Sequence, residues 1–157
     1  MNEIEFISHP PVPEISEEAI LEFEKELGKK LPDDYRQYLR LHNGALPLKH
    51  DYWMPGETNW IETVFEMHSI LPKDHPQSLR NFIYDDYGIP SGWLPIANSG
   101  YGDYTVISLI DDDFGSIYYL FHEEHGYDPN EKVRGVYKLA SGFLEWIQAM
   151  EDLSAYM

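Results

Sequence analysis

The chain contains no cysteine, which excludes disulfides, thiolate nucleophiles and cysteine-based metal sites and fits a reducing compartment. The cytoplasm is the expected location. No apolar run approaches the roughly 18 residues that a membrane-spanning helix needs. The opening MNEIEFISHPPVPEIS has neither a basic region nor an apolar core of signal-peptide length. A soluble protein is expected. Basic residues are scarce: 11 Lys+Arg face 28 Asp+Glu, a net charge of −17. A field of that sign repels phosphate backbones and anionic headgroups, so nucleic acid and membrane are poor partners. It would steer a positively charged protein toward the chain; otherwise it serves solubility alone.

What is present suffices for a core. The 157 residues are 43% hydrophobic and 15% aromatic, so disorder is not expected. One domain of this length buries about two thirds of the surface its unfolded chain exposes.

Three prolines between Ile7 and Pro13 predict an extended entry over residues 1–14. Ser16 has the character of an N-cap, with Glu17 and Glu18 in the first turn, and Ile20, Phe23 and Leu27 at helical spacing. Gly28 then stands where a left-handed residue ends a helix. In GKKLPDDYRQYLRLHNGALP, Pro32 opens a second helix, Tyr35, Tyr38, Leu39 and His42 share one face, and Asn43-Gly44 closes it. Residues 45–56 are loop-like, which places Tyr52, Trp53 and Met54 in irregular chain. A β-prone run covers Trp60–Phe65, and Ser78 caps a short helix over Leu79–Tyr87.

Strands are predicted at Trp93–Ala97, Tyr104–Ile110 and Ser116–His122, with turns at Asn98–Asp103 and at the Asp-rich Asp111–Gly115. A last strand near Val136–Leu139 leads into a helix capped by Ser141, with Phe143, Ile147, Met150 and Leu153 as its apolar stripe. The order predicts an α+β fold. N-terminal helices and a C-terminal helix pack on one face of an antiparallel sheet, a mixed sheet being the variant. No linker or repeat divides residues 1–157, so one domain is expected.

Glu26-Leu27-Gly28, Leu31-Pro32-Asp33-Asp34-Tyr35, Leu39 and Asn43-Gly44 resemble the N-terminal signature of the SUKH superfamily. They resemble most the branch named for a fungal regulator of cell-wall synthesis. Trp93-Leu94-Pro95-Ile96-Ala97, Gly102-Asp103, Gly115, Ser116-Ile117-Tyr118 and the helix with Phe143, Leu144 and Trp146 continue the resemblance, which covers Ile15 to Met150. It implies an α+β fold without catalysis. Bacterial members commonly bind and block a cognate toxin, often a nuclease, whereas fungal members regulate through protein contacts.

The residues offer little chemistry of their own. The histidines of His122-Glu123-Glu124-His125 are three apart, not the four that sets two imidazoles on one helical face. Asp111-Asp112-Asp113 offers oxygens to a cation, but Gly115 falls where a calcium loop needs a ligand. Ser99 lacks the preceding glycine of a nucleophile elbow, and Gly100-Tyr101-Gly102 is too short to cradle phosphate. No metal and no cofactor is expected.

The leading expectation is a non-enzymatic module, monomeric when free, that binds a basic toxin domain. Tyr52 and Trp53 have the character of interface anchors. Tyr101, Asp103, Asp111, Asp112, Asp113, Glu123 and Glu124 supply an acidic, aromatic edge. A regulatory or scaffold domain with another protein partner is the alternative, and an enzyme acting on a small molecule the third.

Overall fold

A computed structural model describes residues 4–7, 14–99, 102–121 and 135–157. After strand β1 (Phe6–Ile7), helix α1 (Glu17–Leu27) starts at Ser16, whose hydroxyl accepts the Ala19 N–H at 3.1 Å. It stops at Gly28, where φ is +75° and the N–H returns to the Glu24 carbonyl at 2.9 Å. The Glu24 carboxylate then braces the corner, accepting the Leu31 N–H at 2.8 Å and Arg36 Nε at 3.1 Å. Helix α2 (Asp33–His42) follows, with Pro32 as the residue just before its first turn. Asn43 and Gly44 both carry positive φ, as the Asn-Gly pair predicts.

The chain then forms β2 (Leu46–Pro47), β3 (Asp51–Trp53), β4 (Ile61–Thr63), β5 (Glu66–Met67) and one helical turn, α3 (Asn81–Tyr84). Two expectations are corrected here. Tyr52 and Trp53 lie in a strand rather than an irregular loop, and the helix expected over Leu79–Tyr87 shrinks to four residues. Asp85 already turns extended, at φ −110° and ψ 148°, so that helix ends before Gly88 is reached.

The remaining strands are β6 (Trp93–Asn98), β7 (Tyr104–Ser108), β8 (Ile117–Leu120) and β9 (Val136–Ala140), followed by α4 (Phe143–Gln148). A wholly antiparallel sheet runs β5-β6-β7-β8-β9, with two-stranded pairs β1-β2 and β3-β4 beside it. This is an α+β fold. Pro95 sits at a register shift in β6, where its missing N–H costs no ladder bond.

The core joins helices to sheet. Ile20 and Phe23 of α1, Tyr35, Tyr38 and Leu39 of α2, and Phe143, Trp146 and Ile147 of α4 are buried in one cluster with Ile96, Ile107 and Ile117 of the sheet. Each such side chain contributes about 1.5–3 kcal/mol by leaving water. The Phe143 ring meets Tyr35 at 5.0 Å and Tyr38 at 4.9 Å. The predicted Ser141 cap is replaced by Gly142, and the exposed backbone of α4 turns instead to Asp34, which accepts the Leu144 N–H.

Candidate functional site

Strands β3 and β4 pair Asp51 with Thr63, Tyr52 with Glu62 and Trp53 with Ile61. Alternation along the strands therefore sends Tyr52 and Glu62 to one face and Asp51, Trp53, Ile61 and Thr63 to the other. On the inner face Tyr52 is buried. Glu62 accepts the Tyr119 hydroxyl at 2.7 Å and the Trp60 indole N–H at 3.0 Å. The same Tyr119 hydroxyl bonds to the Asp103 carboxylate. Burial, reinforced by the bond to Asp103, pushes the Tyr119 phenol far above its usual range. It is therefore held protonated, a donor rather than a base. Tyr119 is 1% exposed and Asp103 4% exposed. This group of polar atoms ties the β3–β4 hairpin to the main sheet.

On the outer face the hairpin carries the C-terminal segment. Asp51 exchanges backbone hydrogen bonds with Glu151 at 3.1 and 2.7 Å, and its carboxylate accepts the Leu153 N–H at 3.0 Å and the Thr63 hydroxyl at 2.8 Å. A 3₁₀ turn, Ser154–Tyr156, then brings the Tyr156 ring edge-on to Trp53, centroids 5.7 Å apart, while Met157 Sδ lies 3.8 Å from Thr63 Oγ. These side chains are not covered: Trp53 is 38%, Tyr156 70% and Met157 68% exposed. Exposed Glu57 in the hairpin turn and Glu151 and Asp152 in the C-terminal segment add negative charge. Trp, Tyr and Met are the residue types that anchor protein interfaces.

Trp53 is a candidate from the sequence, whereas Tyr156 and Met157 follow the last helix without periodicity. Their only signal was two large apolar residues ending an acidic stretch. The neighbouring residues Tyr52 and Trp53 separate because a strand alternates faces, so only Trp53 reaches the outer surface.

Among the described residues of the expected acidic edge, Asp103 and the 3₁₀ turn Asp111–Asp113 lie at opposite ends of β7. Asp103 is buried against Tyr119. Within the turn, Asp111 and Asp112 are exposed. Asp113 instead accepts the Ser108 hydroxyl and, at 2.7 Å, that of Tyr118. Burial, with that bond added, pushes the Tyr118 phenol up to about 12. Asp113 thus fixes the turn. Tyr101, Glu123 and Glu124, with the whole His122–His125 motif, lie outside the described residues.

Among the described residues no group of three or more His, Asp or Glu is placed to hold a metal ion, and no helix is long and apolar enough to cross a membrane. Residues 14–149 match the model of the SMI1 / KNR4 family (SUKH-1). No curated protein matches the chain.

Proposed function

The chain belongs to the SMI1 / KNR4 family (SUKH-1), and we propose that it is a non-enzymatic, protein-binding module of the immunity type that blocks a basic toxin domain in the cytoplasm. The observation that carries this reading is the exposed Trp53–Tyr156–Met157 patch on a chain of net charge −17. Apolar anchors supply affinity when desolvated, and the surrounding carboxylates supply steering and choice of partner. A nuclease is the toxin class that fits best, because a surface built for phosphates is basic and accepts carboxylates in their place. Asp111 and Asp112, exposed on their turn, extend the negative field.

Co-expression with a candidate toxin from a neighbouring gene tests the reading. Growth is restored, a complex is recovered, and its on-rate falls as salt rises through physiological strength, where the Debye length is about 8 Å. Trp53→Ala and Tyr156→Ala each weaken the complex at least tenfold, or about 1.4 kcal/mol. Neither rescue nor a complex would sink the proposal.

A further inference from the structure

A cleft of about 240 Å³ opens between the segment after α3 and the start of β6. Leu27, Ile83, Ile89, Leu94 and Leu109 give it an apolar lining. It lies at the Leu109 end of β7, whereas Asp103 and Tyr119, which hold the β3–β4 hairpin, meet at the other end. Two separate regions of the surface are therefore available for contact.

The cleft is built rather than incidental. Arg80, which starts α3, forms a two-pronged pair with Glu26 of α1, Nε to Oε2 and Nη2 to Oε1 both at 3.0 Å, and donates from Nη1 to the Leu71 carbonyl at 3.0 Å. The Tyr84 hydroxyl adds a third bond to Glu26 at 3.0 Å. The end of α1, which carries Leu27, is thus fixed to α3, and a pre-formed cleft does not have to be ordered at binding.

The lining also carries specific polar chemistry. Asp85 and Asp86 are exposed on it against one cation, Lys29, among its described residues. Asp86 receives the Gly88 N–H at 2.8 Å, and Asp85 is 3.4 Å from Lys73, so both carboxylates are held in place. The Phe82 and Tyr87 rings, centroids 4.7 Å apart, lie beside them. Trp93, also of the lining, keeps its indole N–H buried with no acceptor among the described residues. Ile110, whose side chain packs against Gly92, and Asp111 and Asp112 continue the acidic, partly apolar surface beyond the cleft.

We infer that this cleft is a second docking site, for an arginine-bearing segment of a basic protein. The aliphatic stem of the arginine lies on the apolar lining beside Trp93, and its planar guanidinium stacks on the Phe82–Tyr87 pair and pairs with Asp86. The net charge of −17 favours a cationic occupant over an apolar or acidic one. This assignment does not require the partner to be a toxin.

The test is a titration of the ¹⁵N-labelled full chain with acetyl-Gly-Arg-Gly-amide, watched at the four tryptophan indole N–H signals. Trp93→Phe identifies its own signal, and backbone-directed assignment of the unaltered chain does so if that variant fails to fold. The Trp93 signal shifts saturably while those of Trp53, Trp60 and Trp146 hold still. Affinity falls at least fivefold when citrulline, the neutral isostere, replaces arginine, and again in the Asp85→Asn/Asp86→Asn variant, whose altered positions are exposed. A flat Trp93 signal, an equal response to the citrulline peptide, or a shift confined to Trp53 overturns the inference. A peptide response without toxin rescue keeps this site and removes the immunity reading, and rescue without a peptide response does the reverse.

Discussion

The Asp34 carboxylate accepts the backbone N–H of Leu144 at 2.9 Å with one oxygen and that of Tyr35 at 2.8 Å with the other. One side chain therefore serves the N-terminal turns of α2 and α4, where unpaired N–H groups and the helix dipole favour negative charge. Asp34→Ala is expected to cost about 1–2 kcal/mol, the usual loss for a cap of this kind. Asp34→Asn keeps most of it, and exposed Asp33→Ala shifts stability by less than about 0.5 kcal/mol. Urea unfolding of the three variants checks the ranking.

Tyr119→Phe removes the hydroxyl on which Glu62 and Asp103 converge. Glu62 keeps the Trp60 indole N–H and loses the hydroxyl that links it to Asp103. The expected loss is roughly 1.5–3 kcal/mol, the range for hydrogen bonds to charged groups. Amide exchange should rise in residues 51–63 more than in α1, because the bonds to Tyr119 join the hairpin to the sheet. Uniform exchange across both would contradict that role.

Gly44 and Gly28 both have positive φ, yet they should respond differently to alanine. A Cβ on Gly28 meets nothing within 4 Å, whereas one on Gly44 would fall 1.7 Å from Ser69 Oγ. Gly28→Ala costs about 1 kcal/mol for the left-handed backbone alone. Gly44→Ala should cost clearly more, since Ser69 is itself buried and its backbone is held by Gln77 and Leu79. Comparing their thermal midpoints decides it.

His68 sets a pH dependence. Its Nδ1 donates to the Pro95 carbonyl at 2.9 Å and its Nε2 accepts from the Asn98 amide at 3.3 Å, which fixes the neutral tautomer. Phe82 and Tyr104 pack on the ring, and Glu66, bonded to the same Asn98 amide at 2.7 Å, is the nearby charge. Burial lowers its pKa from 6.5, with the Pro95 bond and Glu66 opposing. The unfolded chain thus takes up a proton first, so stability is full above about pH 6.5 and declines as pH falls from there toward the lower folded value. His42, lowered by burial as well, adds in the same direction. Unfolding midpoints between about pH 7.5 and 5.5 should drop for the native chain and drop less for His68→Gln.

Features set by near neighbours were legible in the sequence. The Ser16 cap, the Gly28 stop, the Asn43-Gly44 exit and the β-branched meander each follow from residues a few positions apart. Features set by distant partners were not. Strand β3 pairs with β4 and is braced by the bonds of Asp51 to residues 151 and 153, whereas a local reading of its Pro- and Gly-rich surroundings suggests a loop. Asp103 reads as a surface turn acid until Tyr119 is placed above it. The Trp93 cleft depends on Glu26 meeting Arg80 across 54 positions, which no periodicity encodes.

The Asp34–Leu144 and Asp51–Leu153 bonds span 110 and 102 positions. Contacts of such separation form only after a large entropic loss from closing the intervening chain, so they belong late in folding and slow it. On the ribosome, α2 and the β3–β4 hairpin emerge long before the residues that complete them. Until position 153 is free of the exit tunnel, Tyr35 and Tyr38 lack Phe143, and the nascent chain carries an open aromatic face that invites chaperones. The aromatic face of α2 therefore closes only when the segment that carries Phe143 docks on it.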